Sequence, residues 1–173
     1  MVFFAFFASN LCALCVKCIL YSMRIIIQRV SEASVTINGV VKSSIKKGYL
    51  VLAGFEELDT TEDIEWTANK LVNLRIFDDE NDNMNLSIKE VGGDIIIVSQ
   101  FTLYALTRKG NRPSFIKAAK PDIAIPLYEK LVQQVSTALG KPVGTGEFGA
   151  DMQVALINDG PVTIQIDSKN PNT

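Results

Sequence analysis

From residue 23 onward, apolar positions form short runs, most of them four to eight residues long. Arg24 to Val30 and Ser34 to Ile37 are rich in β-branched residues and read as strands. Asn38-Gly39 stands between Ile37 and a third run, Val40 to Ile45. Asn-Gly in that place predicts a hairpin, because both central residues must accept positive φ. Tyr49 to Phe55 and Asp94 to Phe101 are near-continuous apolar runs and predict buried strands. Asp151 to Ile157 and Val162 to Asp167 predict two more, joined by a turn at Asn158-Asp159-Gly160-Pro161. Proline cannot donate to a ladder, so Pro161 belongs at a strand start or an edge.

Two segments change period. Thr60 to Ile76 predicts a helix, with Ile64, Ala68, Leu71 and Val72 on one face. Thr60 is the expected cap, Asp63 lies three residues on, and Glu62, Asp63 and Glu65 suit the positive end of the dipole. Trp66 reads as a packing residue. Asp122 to Leu139 predicts a second helix, stopped by Gly140 and Pro142. Ser114 to Ala119 suits a short helix, Asn85 to Lys89 a short strand, Gly92-Gly93 a turn, and Gly144 to Gly149 a flexible connector. Strands outnumber helices and hairpins imply antiparallel pairing. The expectation is an α+β fold: a curved, mostly antiparallel sheet or barrel with two main helices packed on it. Residues 23 to 173 make one domain.

Residues 1 to 22 read differently. They are apolar, carry one charge, Lys17, and hold all three cysteines. Nothing basic precedes Val2, as a secretory signal would require, and Ser9, Asn10 and Lys17 interrupt a membrane span. Cys12, Cys15 and Cys18 are three apart, yet three soft ligands make no closed zinc site, and they read as small apolar residues. Met23-Arg24-Ile25 is a plausible start that opens straight into a strand. The extension is expected to be an upstream start assigned in error or a dispensable tail, with a membrane or targeting segment as the alternative.

Composition narrows the chemistry. The 173 residues have a net charge of −2 and contain no histidine. That excludes Ser-His-Asp triads, Cys-His dyads and histidine metal sites. Residues 78 to 85 imitate a calcium loop, with Asp79, Asn81, Asn83 and Glu90 in ligand positions. Met84 stands where the sharp turn needs glycine, which argues against calcium. The stretch from Gly144 to Gly149 lacks the Lys-Ser/Thr ending of a phosphate loop. No metal and no cofactor is expected.

Three places remain for chemistry. Ser99-Gln100-Phe101-Thr102 ends a buried strand, where reacting groups are often placed, although such an ending is also ordinary. Arg108, Lys109 and Arg112 form the basic focus of an acidic chain, fit for phosphate contact or simply a solvated turn. Gly160-Pro161 is usually no more than a turn.

Together these stretches resemble the D-aminoacyl-tRNA deacylase (D-tyrosyl-tRNA deacylase) family. The motifs are SQFTL at 99–103, TRKGNRPSF at 107–115, TGEFGADMQV at 145–154 and NDGPVT at 158–163, with the opening from Met23. The resemblance spans residues 23 to 167. It implies hydrolysis of the ester linking a D-amino acid, or glycine, to the terminal adenosine of tRNA, as proofreading in the cytoplasm. It implies a homodimer with the aminoacylated 3′ end of tRNA as partner. The family's favoured mechanism uses the adenosine 2′-OH to help activate water. Ser99, Gln100, Phe101 and Thr102 would line the adenosine and the ester, and Phe148, Gly149 and Met152 would shape the pocket. Arg108, Lys109 and Arg112 would contact tRNA. Gly160-Pro161 would be a cis pair that enters the partner's site and excludes L side chains. Thr102 as nucleophile lacks a base nearby in sequence. The competing readings are a general small-ester or amide hydrolase and a non-enzymatic metabolite-binding module.

Overall fold

The computed structural model describes residues 23–170. The readings of residues 1 to 22 lie outside the described residues. Eight strands and two helices follow in the order β1 (Arg24–Ile37), β2 (Val40–Ile45), β3 (Gly48–Gly54), α1 (Thr61–Asn73), β4 (Arg75–Asp78), β5 (Met84–Ser87), β6 (Asp94–Ser99), α2 (Pro121–Leu139), β7 (Gly144–Thr145) and β8 (Gln153–Asp167). A short 3₁₀ turn, Phe101–Tyr104, sits between β6 and α2.

The hairpin forms where Asn-Gly required it: Asn38 has φ 51° and Gly39 φ 78°, with Ile37 opposite Val40. β1 is the spine of the sheet. Its first half pairs with β3 and its second half with β2, while β8 pairs along nearly its whole length. β8 therefore holds one edge of β1, and β3 and β2 divide the other. Beyond β3 the sheet turns parallel, through β6 and then β7. The Ser43 hydroxyl of β2 donates to the Thr145 carbonyl at 2.6 Å and accepts from the Thr145 N–H at 2.9 Å. This brings β7 back to β2 and nearly closes the curved, mixed sheet.

Both helices cover one side. Ile64, Ala68, Leu71 and Val72 of α1 and Leu131 and Val135 of α2 pack with Ile25, Ile27, Val51, Ile95 and Ile97 of the sheet. A second cluster, Val30, Ala33, Val35, Ile45, Leu50, Ile96 and Val98, fills the opposite side of the sheet. The α1 capping box is complete: Thr60 N donates to Asp63 at 2.9 Å, and Asp63 N to the Thr60 hydroxyl at 3.4 Å.

Five expectations are corrected. The first helix ends at Asn73, not Ile76, because Leu74 turns extended (φ −66°, ψ 125°) and the residues after it pair with β5. The Phe77 ring stacks on Tyr49 at 5.2 Å. Residues 114–119 form no helix: Ser114 bridges to Leu106, and turns follow. Gly144 and Thr145 are a strand rather than a flexible connector, since the bare glycine lets β7 approach Ile96 and Ser43 closely. β6 stops at Ser99 and gives way to the 3₁₀ turn. The two late strands are one, β8, with an irregularity: Gln28 faces Thr163 and Val30 faces Asn158, so Asp159 to Val162 bulge outward opposite Arg29.

Candidate active site

A cleft of about 300 Å³ opens where the parallel strands β3 and β6 end side by side. Gly54 and Phe55 follow from β3, and Ser99, Gln100 and Phe101 from β6. Phe148, Gly149 and Met152 close the far wall, and Ala119 and Ala124 bring the start of α2 to its border. Thus Ser99, Gln100, Phe101, Phe148, Gly149 and Met152, far apart in sequence, converge on one cleft.

Local hydrogen bonds set this geometry. Gln100 N donates to Ala53 O at 2.7 Å, and Ala119 N donates to Phe55 O at 2.8 Å. The Tyr104 hydroxyl reaches Gly54 O at 3.4 Å, tying the 3₁₀ turn to the end of β3. Burial pushes the Tyr104 phenol well above its ordinary range, so it remains a donor. The Tyr128 hydroxyl donates to Ile97 O at 2.9 Å, and its ring lies 6.3 Å from that of Phe148. Burial raises the Tyr128 phenol to about 12.

Thr102 is not part of the lining, and its hydroxyl accepts a hydrogen bond from the Gln100 side-chain amide. None of the residues lining the cleft ionises: the polar side chains are Ser99 and Gln100, and the rest is apolar or backbone. Such a site can orient a substrate and donate hydrogen bonds to a developing charge. It cannot supply a carboxylate or amine base.

Phe101 is 56% exposed and meets Phe115 edge-on at 5.1 Å. Phe115 follows Ser114, whose two backbone bonds to Leu106 (2.8 and 3.1 Å) pinch off the loop of residues 107–113. Arg108, Lys109 and Arg112 are exposed on that loop, so the basic focus rises from the rim beside Phe101.

Gly160 and Pro161 are not in their own chain's cleft. Both are exposed on the bulge of β8, and the peptide bond between them is cis. The bulge is held from beneath by Arg29, which is 5% exposed. Arg29 Nε donates to Asp159 O at 3.0 Å, and Nη1 donates to Ile76 O at 2.7 Å. The guanidinium pairs with Asp78 at 3.2 Å and Asp159 at 3.3 Å. Gly160 has φ 123°, and an added Cβ would lie 2.9 Å from Val162 Cγ2 and 3.1 Å from Val162 N.

Arg29 is the residue that sequence reasoning missed. Alternation along β1 places it on the same side as Ile25 and Ile27, both buried. A charge at a core-facing position requires partners, and that is the available signal. Asp79, the head of the calcium-like run, instead accepts from Asn81 N, Asn83 N and the Asn85 side chain, which holds the loop itself. Glu90 accepts from Ser87 N and Oγ.

Comparison with known proteins agrees with this architecture. D-aminoacyl-tRNA deacylase of Phocaeicola vulgatus is 64% identical over 148 residues, 86% of this chain and 99% of that protein. The protein of the same name from Bacteroides fragilis is 66% identical over the same shares. A solved structure described as c-Myc DNA Unwinding Element Binding Protein superposes with a TM-score of 0.78 at 38% identity, covering 83% of this chain and 97% of that one. One described as a probable eukaryotic D-amino acid tRNA deacylase shares the fold with a TM-score of 0.72 at 22% identity, covering 84% and 99%. The family described as D-Tyr-tRNA(Tyr) deacylase matches residues 26–167, and this chain belongs to it.

Proposed function

We propose that the cleft holds the terminal aminoacyl-adenosine of a D-aminoacyl-tRNA and hydrolyses its ester. The activity is that of a D-aminoacyl-tRNA deacylase, a hydrolase of ester bonds, and its substrate is aminoacyl-tRNA. The observation that carries the reading is the composition of the lining: hydroxyl, amide and backbone, with no ionising side chain. An aminoacyl ester is already activated, so orientation and stabilisation of the oxyanion can suffice. Water adds to the ester carbonyl carbon, assisted by the adenosine 2′-OH. The bond to the ribose oxygen breaks and that oxygen takes the proton, leaving free D-amino acid and tRNA. Ser99 and Gln100 supply polar contacts, and the N-terminal end of α2 favours the developing negative charge. Phe101 lies at the rim for the adenosine, while Phe148, Gly149 and Met152 bound the pocket.

Handedness is selected by a second copy of the chain. Gly160 and Pro161 are exposed, pinned by Arg29 and away from their own cleft, which suits a role in the partner's site. Ile157, on the same strand, is 55% exposed and supplies apolar surface for a homodimer. An L side chain would collide with main-chain atoms of that bulge; glycine has none to exclude, so glycyl-tRNA is also a substrate. Arg108, Lys109 and Arg112 contact phosphates of the acceptor end, helped by the exposed Lys117 and Lys120. The place of action is the cytoplasm; no helix among the described residues is long and apolar enough to cross a membrane.

The test uses purified full-length protein with D- and L-aminoacyl-tRNA and a free D-amino-acid ester. Hydrolysis of the D form with the L form spared is the expected result, with a dimer by sedimentation. Turnover of the free ester alone would indicate a general esterase, and turnover of neither a binding module.

A further inference from the structure

Beneath the turn that carries Phe101 and Thr102, four carboxylates are gathered from three parts of the chain: the loop after β3, α1 and the end of β8. Glu56 is 2% exposed and Asp59 9%. Asp63 of α1 and Asp167 at the end of β8 are also buried. The cations that face them are Arg24, 3.4 Å from Asp167, Lys169, 3.3 Å from Asp63, and the exposed Lys117 near Glu56. Two oxygens of the group, Glu56 Oε2 and Asp59 Oδ1, make no hydrogen bond. Buried carboxylate oxygens without donors are costly, so the four carboxylates, faced by three cations, are short of donors.

Met23 leads into this place. Arg24 pairs with Gly54 on one side and Asp167 on the other, so Met23 lies between Phe55 and Ser168, where Phe55 gives way to Glu56. Ser168 N donates to Met23 O at 3.0 Å. Met23 N donates to Ser168 Oγ at 3.2 Å, and that hydroxyl donates to Asp63 Oδ1 at 2.8 Å. Met23 is only 1% exposed.

We propose that this acid cluster is the seat of an α-ammonium group, supplied by a form of the chain that starts at Met23. In that form the nitrogen carries three N–H donors and a full charge, where the peptide nitrogen carries one donor. Through the Ser168 hydroxyl that nitrogen is already linked to Asp63 of the group, so the added donors and charge arrive at its edge. Relatives match this extent: 148 residues of this chain cover 99% of the Phocaeicola vulgatus protein. The terminus also bears on the active-site turn. Arg24 donates to Leu103 O at 3.3 Å and lies 4.9 Å over the Tyr104 ring.

The experiment compares the full chain with a form starting at Met23, each as wild type, Glu56→Gln and Asp59→Asn. In the full chain both substitutions raise the melting temperature at pH 8, because they remove uncompensated charge. In the Met23 form they lower it, because they remove the partner of the ammonium. A titration of the Met23 amine followed by nitrogen NMR should give a pKa at least one unit above the ordinary value of about 7.7–8.0. Nα-acetylation of that form should lower its melting temperature below the amine pKa, and the difference should vanish as pH rises through it. The same sign of substitution effect in both forms, an ordinary amine pKa, indifference to acetylation, or a Met23 form that fails to fold would each overturn the proposal.

Discussion

Arg29 and Asp159 meet twice, Nε donating to the Asp159 carbonyl at 3.0 Å and the guanidinium pairing with its carboxylate at 3.3 Å. The same guanidinium holds Ile76 O at 2.7 Å. One buried side chain thus fixes the bulge that presents Gly160 and Pro161. Arg29→Ala leaves the buried Ile76 carbonyl unpaired and should cost about 1–3 kcal/mol, read from a urea melt. Arg29→Lys offers one ammonium where two carbonyls are held, so it should fold but lose chiral discrimination. Unchanged D and L rates in Arg29→Lys would show that the bulge does not depend on it.

Gly160→Ala tests the bulge directly. The added Cβ would meet Val162 Cγ2 at 2.9 Å, at a φ of 123° that L residues rarely adopt. The expected strain is about 1–3 kcal/mol. Deacylation of D-aminoacyl-tRNA should fall at least about tenfold, or L turnover should appear, with the oligomeric state unchanged. Equal kinetics for variant and wild type would remove the bulge from the site.

Much of the fold is legible in the sequence because its signals are local. Asn38-Gly39 and the Thr60 capping box each satisfy their own backbone within a few residues. The first helix reads too long because Ile76 and Phe77 extend the helical apolar pattern, and only the pairing of β4 with β5 breaks it. β7 is two residues long and has no period to detect; it exists because Ile96 and Ser43 are there to receive it. At the site, Ser99, Gln100 and Phe101 are legible as a strand end. The role of Arg29 is not, since its partners, Ile76, Asp78 and Asp159, lie in other parts of the chain.

Asp59 gives the stability profile a predictable slope. Burial raises its carboxyl from the ordinary range to about 7, while a hydrogen bond from Glu56 N opposes the shift. Between about pH 4 and pH 7 the folded full chain therefore binds more protons than the unfolded chain. Stability should fall as pH rises through that window and level off above it. Asp59→Asn keeps an oxygen for Glu56 N but cannot ionise, so it should flatten the slope and melt higher than wild type at pH 8. A wild-type profile already flat between pH 4 and 7 would contradict this.

The basic loop should act on binding rather than chemistry. Replacing Arg108, Lys109 and Arg112 with alanine should raise KM for tRNA. It should also reduce the salt dependence of kcat/KM, by about 0.7–0.9 in log-log slope for each phosphate no longer neutralised. Hydrolysis of a short aminoacyl-adenosine ester should stay within about twofold. An equal fall on both substrates would place the loop's effect in the cleft itself.

Thr102 and the substrate's own 2′-OH are the two hydroxyls that compete for a chemical role. The cleft lining holds no ionising group, and the Thr102 hydroxyl is engaged by the Gln100 amide outside that lining. The decisive measurement is single-turnover deacylation of D-aminoacyl-tRNA by Thr102→Ala, beside wild type acting on tRNA whose terminal adenosine lacks the 2′-OH. Catalysis by positioning predicts that Thr102→Ala stays within about tenfold of wild type, while the deoxy substrate loses at least about a hundredfold. A dead Thr102→Ala with normal hydrolysis of the deoxy substrate would contradict it and make the threonine the nucleophile.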